Sequence, residues 1–136
     1  MNARSTRKAA ASSAEVFTRL RAILETHAAR FTVTSDTSSR YCLEGPVGPA
    51  TLRAWGGKAR RSQIPVAWVE IGTSYVSFHL MAIDPVLRGA MSVELEKHMH
   101  GKTCFHFTAV DESLFRELEQ VAARGIAAFK KAGFVA

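Results

Sequence analysis

Residues 65–83 constrain the fold of this chain more than any other stretch. Apolar and polar side chains alternate from Val66 to Ile71 and again from Tyr75 to Ile83, on either side of Gly72-Thr73-Ser74. Two period-two runs joined by a short glycine-containing turn predict a β-hairpin, so the sheet is expected to be mainly antiparallel. Alternation sorts its side chains between two faces. Val76, Phe78, Leu80 and Ala82 fall on one face, with Val69 and Ile71 of the partner run. An apolar sheet face must be covered, and the two ends of the chain supply the cover.

At the N-terminal end, Val16, Phe17, Leu20, Ile23, Leu24 and His27 recur at helical spacing, which predicts an amphipathic helix over 14–29 capped by Ser12 or Ser13. At the C-terminal end, Asp111 caps a long helix with the stripe Leu114, Phe115, Leu118, Val121, Ala122, Ile126 and Phe129. Lys130 and Lys131 suit its negative end and Gly133 stops it. Between them the pattern predicts strand character at Phe31–Val33 and Tyr41–Leu43, separated by a polar turn. Residues 45–50 are expected to interrupt the ladder, 51–55 to form a short strand, and 56–64 to be a loop at a hairpin tip. Residues 85–91 and 92–99 read as short helices, with Ser92 a cap, and 103–108 as a final strand. The fold class is therefore α+β: a mainly antiparallel sheet, N- and C-terminal helices on one face, and a short helical insert before the last strand. Residues 13–136 are read as one domain, preceded by a disordered basic tail over 1–12.

Charge locates rather than names the partners. Of the formal +6, Arg4, Arg7 and Lys8 contribute half, and the rest of the chain has 15 basic and 12 acidic residues. A solubilising tail explains this, and its acid-free, Ser- and Ala-rich composition also matches a transit peptide. No apolar run approaches the roughly 20 residues that span a bilayer, so no membrane partner is expected. Two cysteines, Cys42 and Cys104, make no disulfide framework, which suits the cytoplasm.

The second sheet face is chemically mixed. It combines Tyr75, Ser77, His79 and Met81 with Trp68 and Glu70 of the hairpin partner and with Cys104 and His106 of the last strand. Tyr41 and Trp55 join it if their strands pair in the expected register. Lys102 stands at the rim, where it can meet an anion. Cys104, His79 or His106, and Glu70 have the residue types of a Cys-His-acid set, but no glycine-rich oxyanion turn accompanies them, and no catalytic residue is assigned. The imidazoles and thiol lack the spacing of a zinc site, and no metal ligand or cofactor is assigned.

The segments Tyr75-Val-Ser-Phe-His-Leu-Met81, Asp84-Pro85, Gly101-Lys-Thr-Cys-Phe-His-Phe107 and Asp111-Glu-Ser-Leu-Phe115 resemble the YdhG-like domains of unknown function. That superfamily of bacterial proteins has a frataxin-like iron chaperone as a distant member. The resemblance spans about residues 14–134 and implies an α+β sheet flanked by terminal helices. Iron handling does not carry over: the first helix has only Glu15 and Glu25 against Arg19, Arg21 and Arg30, and clustered cations repel iron.

The expectation is a noncatalytic binding domain that meets a small ligand or protein partner through Trp68, Glu70, Tyr75, His79, Met81, Lys102, Cys104 and His106. A covered second layer or a homodimer interface is the structural alternative for that face. The functional alternatives are nucleic-acid binding through the basic loop 53–61 and the tail, and, more weakly, metal binding through the imidazoles and thiol.

Overall fold

The computed structural model describes the backbone of residues 2–136 and the side chains from residue 13 onward. The expected tail over 1–12 lies outside the fully described residues. Helix α1 (Asn2–Glu25) is followed by a 3-10 turn at Ala28–Arg30, strands β1 (Thr32–Asp36) and β2 (Arg40–Pro46), and helix α2 (Pro49–Ala54). Then come β3 (Gln63–Ile71), β4 (Val76–Leu80), α3 (Pro85–Gly89), α4 (Val93–Glu96), β5 (Cys104–Phe107) and α5 (Glu112–Lys131). The five strands form one sheet in the order β1-β2-β3-β4-β5, every pair antiparallel. This is the expected α+β class.

The β3–β4 hairpin carries the predicted register, pairing Ala67 with Leu80, Val69 with Phe78 and Ile71 with Val76. One row of side chains under the helices runs Tyr41, Val69, Phe78, Phe105 across β2 to β5. Val16, Leu20 and Leu24 of α1 and Leu118 and Ala122 of α5 close over it, each essentially without solvent contact. The insert adds Leu87 and Leu95 to the same cluster. Both insert helices are capped at once: Asp84 Oδ1 accepts from the Leu87 amide at 2.7 Å and Ser92 Oγ from the Leu95 amide at 3.1 Å. Asp111 caps α5 in the same way through the Leu114 amide.

Four expectations are corrected. Residues 51–55 are not a strand but part of α2. Pro49 occupies the first helical turn, where its fixed φ and missing N–H cost nothing, and Ala50, Leu52, Arg53 and Ala54 favour continuing it. Residues 45–50 do not break the ladder at once: Gly45 and Pro46 still pair with Ile64 and Gln63. The tip expected over 56–64 is instead the connection from α2 to β3. Helix α1 also ends at Glu25 rather than at 29, with the Thr26 hydroxyl donating to the Ile23 carbonyl in its last turn.

The chain's last residues return to β2 and α2. The Gly48 and Ala50 amides donate to the carbonyls of Phe134 and Gly133 at 3.0 and 2.8 Å, and the Ala136 amide to Pro46 at 2.9 Å. The Thr51 hydroxyl adds a bond to the Phe134 carbonyl at 2.6 Å. This seam joins segments more than 80 residues apart and positions the end of α5 beside α2.

Candidate functional site

On the face opposite the helices, register builds two adjacent rows. One runs Cys42, Trp68, His79, Cys104 and the other Arg40, Glu70, Ser77, His106. Six of the eight expected site residues therefore meet: Trp68, Glu70, Tyr75, His79, Cys104 and His106. Met81 lies beyond the end of β4 and turns into a separate groove, and Lys102 is exposed in the loop before β5. Tyr41 belongs to the helix side, buried, with the Arg21 guanidinium 4.8 Å from its ring centre. Trp55 closes the C-terminal end of α2 and is off the sheet. Ser77 stands on this face as its strand parity predicts, while sequence reasoning passed over Arg40 and His100, both of which complete it.

The rings on this face are stacked on one another. Tyr75 lies 3.7 Å from His106, which lies 4.0 Å from His100 on its other side, all three nearly parallel. Trp68 stacks on His79 at 4.3 Å, with the Arg40 guanidinium 5.8 Å from the indole. His100 arrives because 98–100 runs back along β5: the His106 amide donates to the His98 carbonyl and the His100 amide to the Cys104 carbonyl, both at 2.8 Å. Stacking between neighbours uses ring faces and leaves the edges, which carry the nitrogen and hydroxyl groups, for other contacts. Arg40 and Glu70 form an ion pair of 3.3 Å that neutralises the second row.

The chemistry of the face is that of neutral groups. His79 Nε2 lies 3.7 Å from Cys104 Sγ and 3.2 Å from Ser77 Oγ. Burial, and then the Glu70 carboxylate, push the Cys104 thiol up, while burial pushes the His79 imidazole down. Thiol and imidazole are both held uncharged, the reverse of the thiolate–imidazolium pair a cysteine nucleophile needs. Among the described residues no three His, Cys, Asp or Glu side chains converge to hold a metal ion. The Trp68 indole N–H is the one buried side-chain polar atom among the described residues without a hydrogen-bond partner.

These imidazoles make stability depend on pH. Burial first, with nearby positive charge second, lowers the His27 value; burial lowers His79; burial and His100 lower His106. The unfolded chain, with imidazoles near the ordinary 6.5, takes up protons before the folded one does. Stability is therefore complete above about pH 7 and falls as pH drops through 6.5 toward the lowered folded values. Urea midpoints at pH 7.5, 6.5 and 5.5 are expected to decrease in that order, and less steeply in His79→Gln. A flat profile would contradict buried neutral imidazoles. The Arg19–Glu112 ion pair linking α1 to α5 lowers a carboxylate, so its contribution is constant through this window and is lost only at lower pH.

At the end of the sheet lies a groove of about 590 Å³, walled by α2, the start of β3, the connection after β4 and the end of α5. Trp55, Ile64, Met81, Ile83, Phe129 and Phe134 give it an apolar lining. Nothing in the periodicity pointed to it, since its walls come from four separate segments. Comparison with protein-family models, curated proteins and solved structures finds no match. No described helix is long and apolar enough to cross a membrane.

Proposed function

We propose that this chain is a noncatalytic binding domain whose mixed sheet face receives a small ligand or a protein partner. The observation that carries the reading is the Trp68 indole N–H, buried without an acceptor among self-stacked rings. Leaving such a donor unpaired costs about 1–3 kcal/mol, which a carbonyl or carboxylate that displaces the side chains covering it would offset. The neutral Cys104–His79 pair supports a binding rather than a catalytic role. The free thiols Cys42 and Cys104 support action in the cytoplasm. Placement in the YdhG-like superfamily is part of the same proposal, supported by the order of helix, meander, helical insert, strand and helix.

Nucleic-acid binding has less support. Arg61 is paired with Glu44 at 3.0 Å, Arg60 lies 5.9 Å from the Trp55 ring, and both faces of His106 are occupied.

The test uses the two indole N–H signals, with Trp55→Phe to assign them. Titration with N-methylacetamide and with benzoate is expected to shift the Trp68 signal saturably, together with the His79 and His106 ring protons. His106→Ala is expected to weaken the response at least threefold. Shifts confined to the Trp55 signal would sink the proposal, as would a Trp68 signal that moves with neither probe.

A further inference from the structure

The groove at the end of the sheet combines an apolar lining with a one-sided charge distribution. Two of the large hydrophobic side chains exposed elsewhere than on a helix surface, Met81 and Phe134, are exposed into it, at 39% and 40%. Its volume falls within the ~300–1,000 Å³ usual for small-molecule sites. Its polar groups differ in what they have left to offer. The Thr51 hydroxyl is spent on the Phe134 carbonyl, and Asp84 Oδ1 on the Leu87 amide. Arg61, on the α2–β3 wall, gives Nη2 to Glu44 and keeps further guanidinium donors. Arg60 lies 5.9 Å from the Trp55 ring of the lining, Arg53 and Lys58 are near it in sequence, and beyond Glu44, which pairs with Arg61, residues 45–69 contain no acid. A cationic group entering the groove meets this wall; an anionic one is attracted to it.

We propose that the groove binds a small carboxylate with an extended apolar body, an acyl or arylalkanoic acid. The body lies against Trp55, Met81, Phe129 and Phe134. The carboxylate faces Arg61, away from Asp84 on the connection after β4. The site is independent of the mixed sheet face, so either assignment can fail while the other stands.

Octanoate, below its micelle-forming range, is the probe, and Trp68→Phe leaves Trp55 as the sole fluorescent reporter. Octanoate is expected to change Trp55 emission saturably, with octyltrimethylammonium binding at least tenfold more weakly. Arg61→Ala is expected to weaken octanoate about tenfold, the scale of one charged hydrogen bond. Ala132→Phe fills the groove from an exposed position on its wall and is expected to abolish the response. Met81→Trp, also at an exposed position, serves if circular dichroism shows that Ala132→Phe does not fold, and is expected to abolish binding of radiolabelled octanoate. Equal affinity for the two chain-matched probes overturns the proposal, as does octanoate binding that survives filling of the groove. A dimer that octanoate dissociates would give the groove to a second copy and overturn it too.

Discussion

Replacing Phe78 by alanine is expected to remove about 3–5 kcal/mol of stability, a large share of the roughly 5–15 kcal/mol that holds a domain of this kind folded. Phe78 has no solvent contact and sits at the centre of the β4 row between Val69 and Phe105. Its ring meets Phe105 edge to face, with centres 6.4 Å apart. The cost has two parts: the transfer energy of the lost ring, and the cavity left where the sheet and two helices cannot both close in. Hydrogen-bonded strands on either side of β4 fix the backbone, so the site has little room to collapse. Val86→Ala, at a position 75% exposed, is the matched control and should change stability by less than about 0.5 kcal/mol. Urea unfolding of the three proteins provides the test. A Phe78→Ala loss below about 1.5 kcal/mol would mean that the core is not centred on this row.

The same residue shows what could be read from sequence. Period-two alternation put Phe78 and Val69 on one face and His79 and Trp68 on the other, and the observed pairing keeps them there. Register within one hairpin is local information, because the turn sets it. Register between hairpins is not, and the errors fall there. Tyr41 joins the mixed face only in the expected register; its pairing with Val69 places it under α1 instead. An extra residue in β3, Val66, falls opposite the Leu43–Glu44 step of β2, so Val66 and Ala67 are both buried although adjacent. Simple alternation cannot anticipate such a bulge. Helix α2 was missed for another reason: six residues opened by a glycine and a proline carry too few turns for a period to appear.

The candidate sites were legible in proportion to how local they are. Trp68, Glu70, Tyr75, His79, Cys104 and His106 share a face because strand parity demands it. Their ring stacking, and the arrival of His100 on the far side of His106, depend on 98–100 folding back along β5. The identity of the residue types suggested a nucleophile. Their environment argues against one, since burial moves thiol and imidazole in opposite directions and leaves both uncharged at neutral pH. Sequence names the groups; only packing sets their protonation. The groove is the extreme case, with Trp55, Met81 and Phe134 brought together by the seam between 46–51 and 133–136.

That seam gives the second large effect, because Gly48 has no room for a side chain. A Cβ there would run into the carbonyl oxygen and carbon of Gly133, which is backbone and cannot swing aside. Conformation is not the obstacle: Gly48 has φ −93° and ψ 172°, extended values that any residue adopts. Gly48→Ala is therefore a test of space alone. To admit one methyl group the C-terminal segment must move off, straining or breaking the bonds from the Gly48 and Ala50 amides and the Thr51 hydroxyl. Overpacking of this kind costs about 1–3 kcal/mol, and each lost bond about 1 more. The end of α5 then loses its anchor, so trypsin should cut after Lys130 or Lys131 faster than in the parent protein. Because Phe134 and Trp55 share the groove, Trp55 emission should shift toward that of a solvated indole. Gly89→Ala supplies the contrast: a Cβ there meets nothing within 4 Å, and the residue lies in α3, so the change is expected to stabilise by about 0.5–1 kcal/mol. If Gly48→Ala is as stable and as resistant to trypsin as the parent, the seam does not hold the C-terminal segment against α2, and the groove is not the fixed cavity described above.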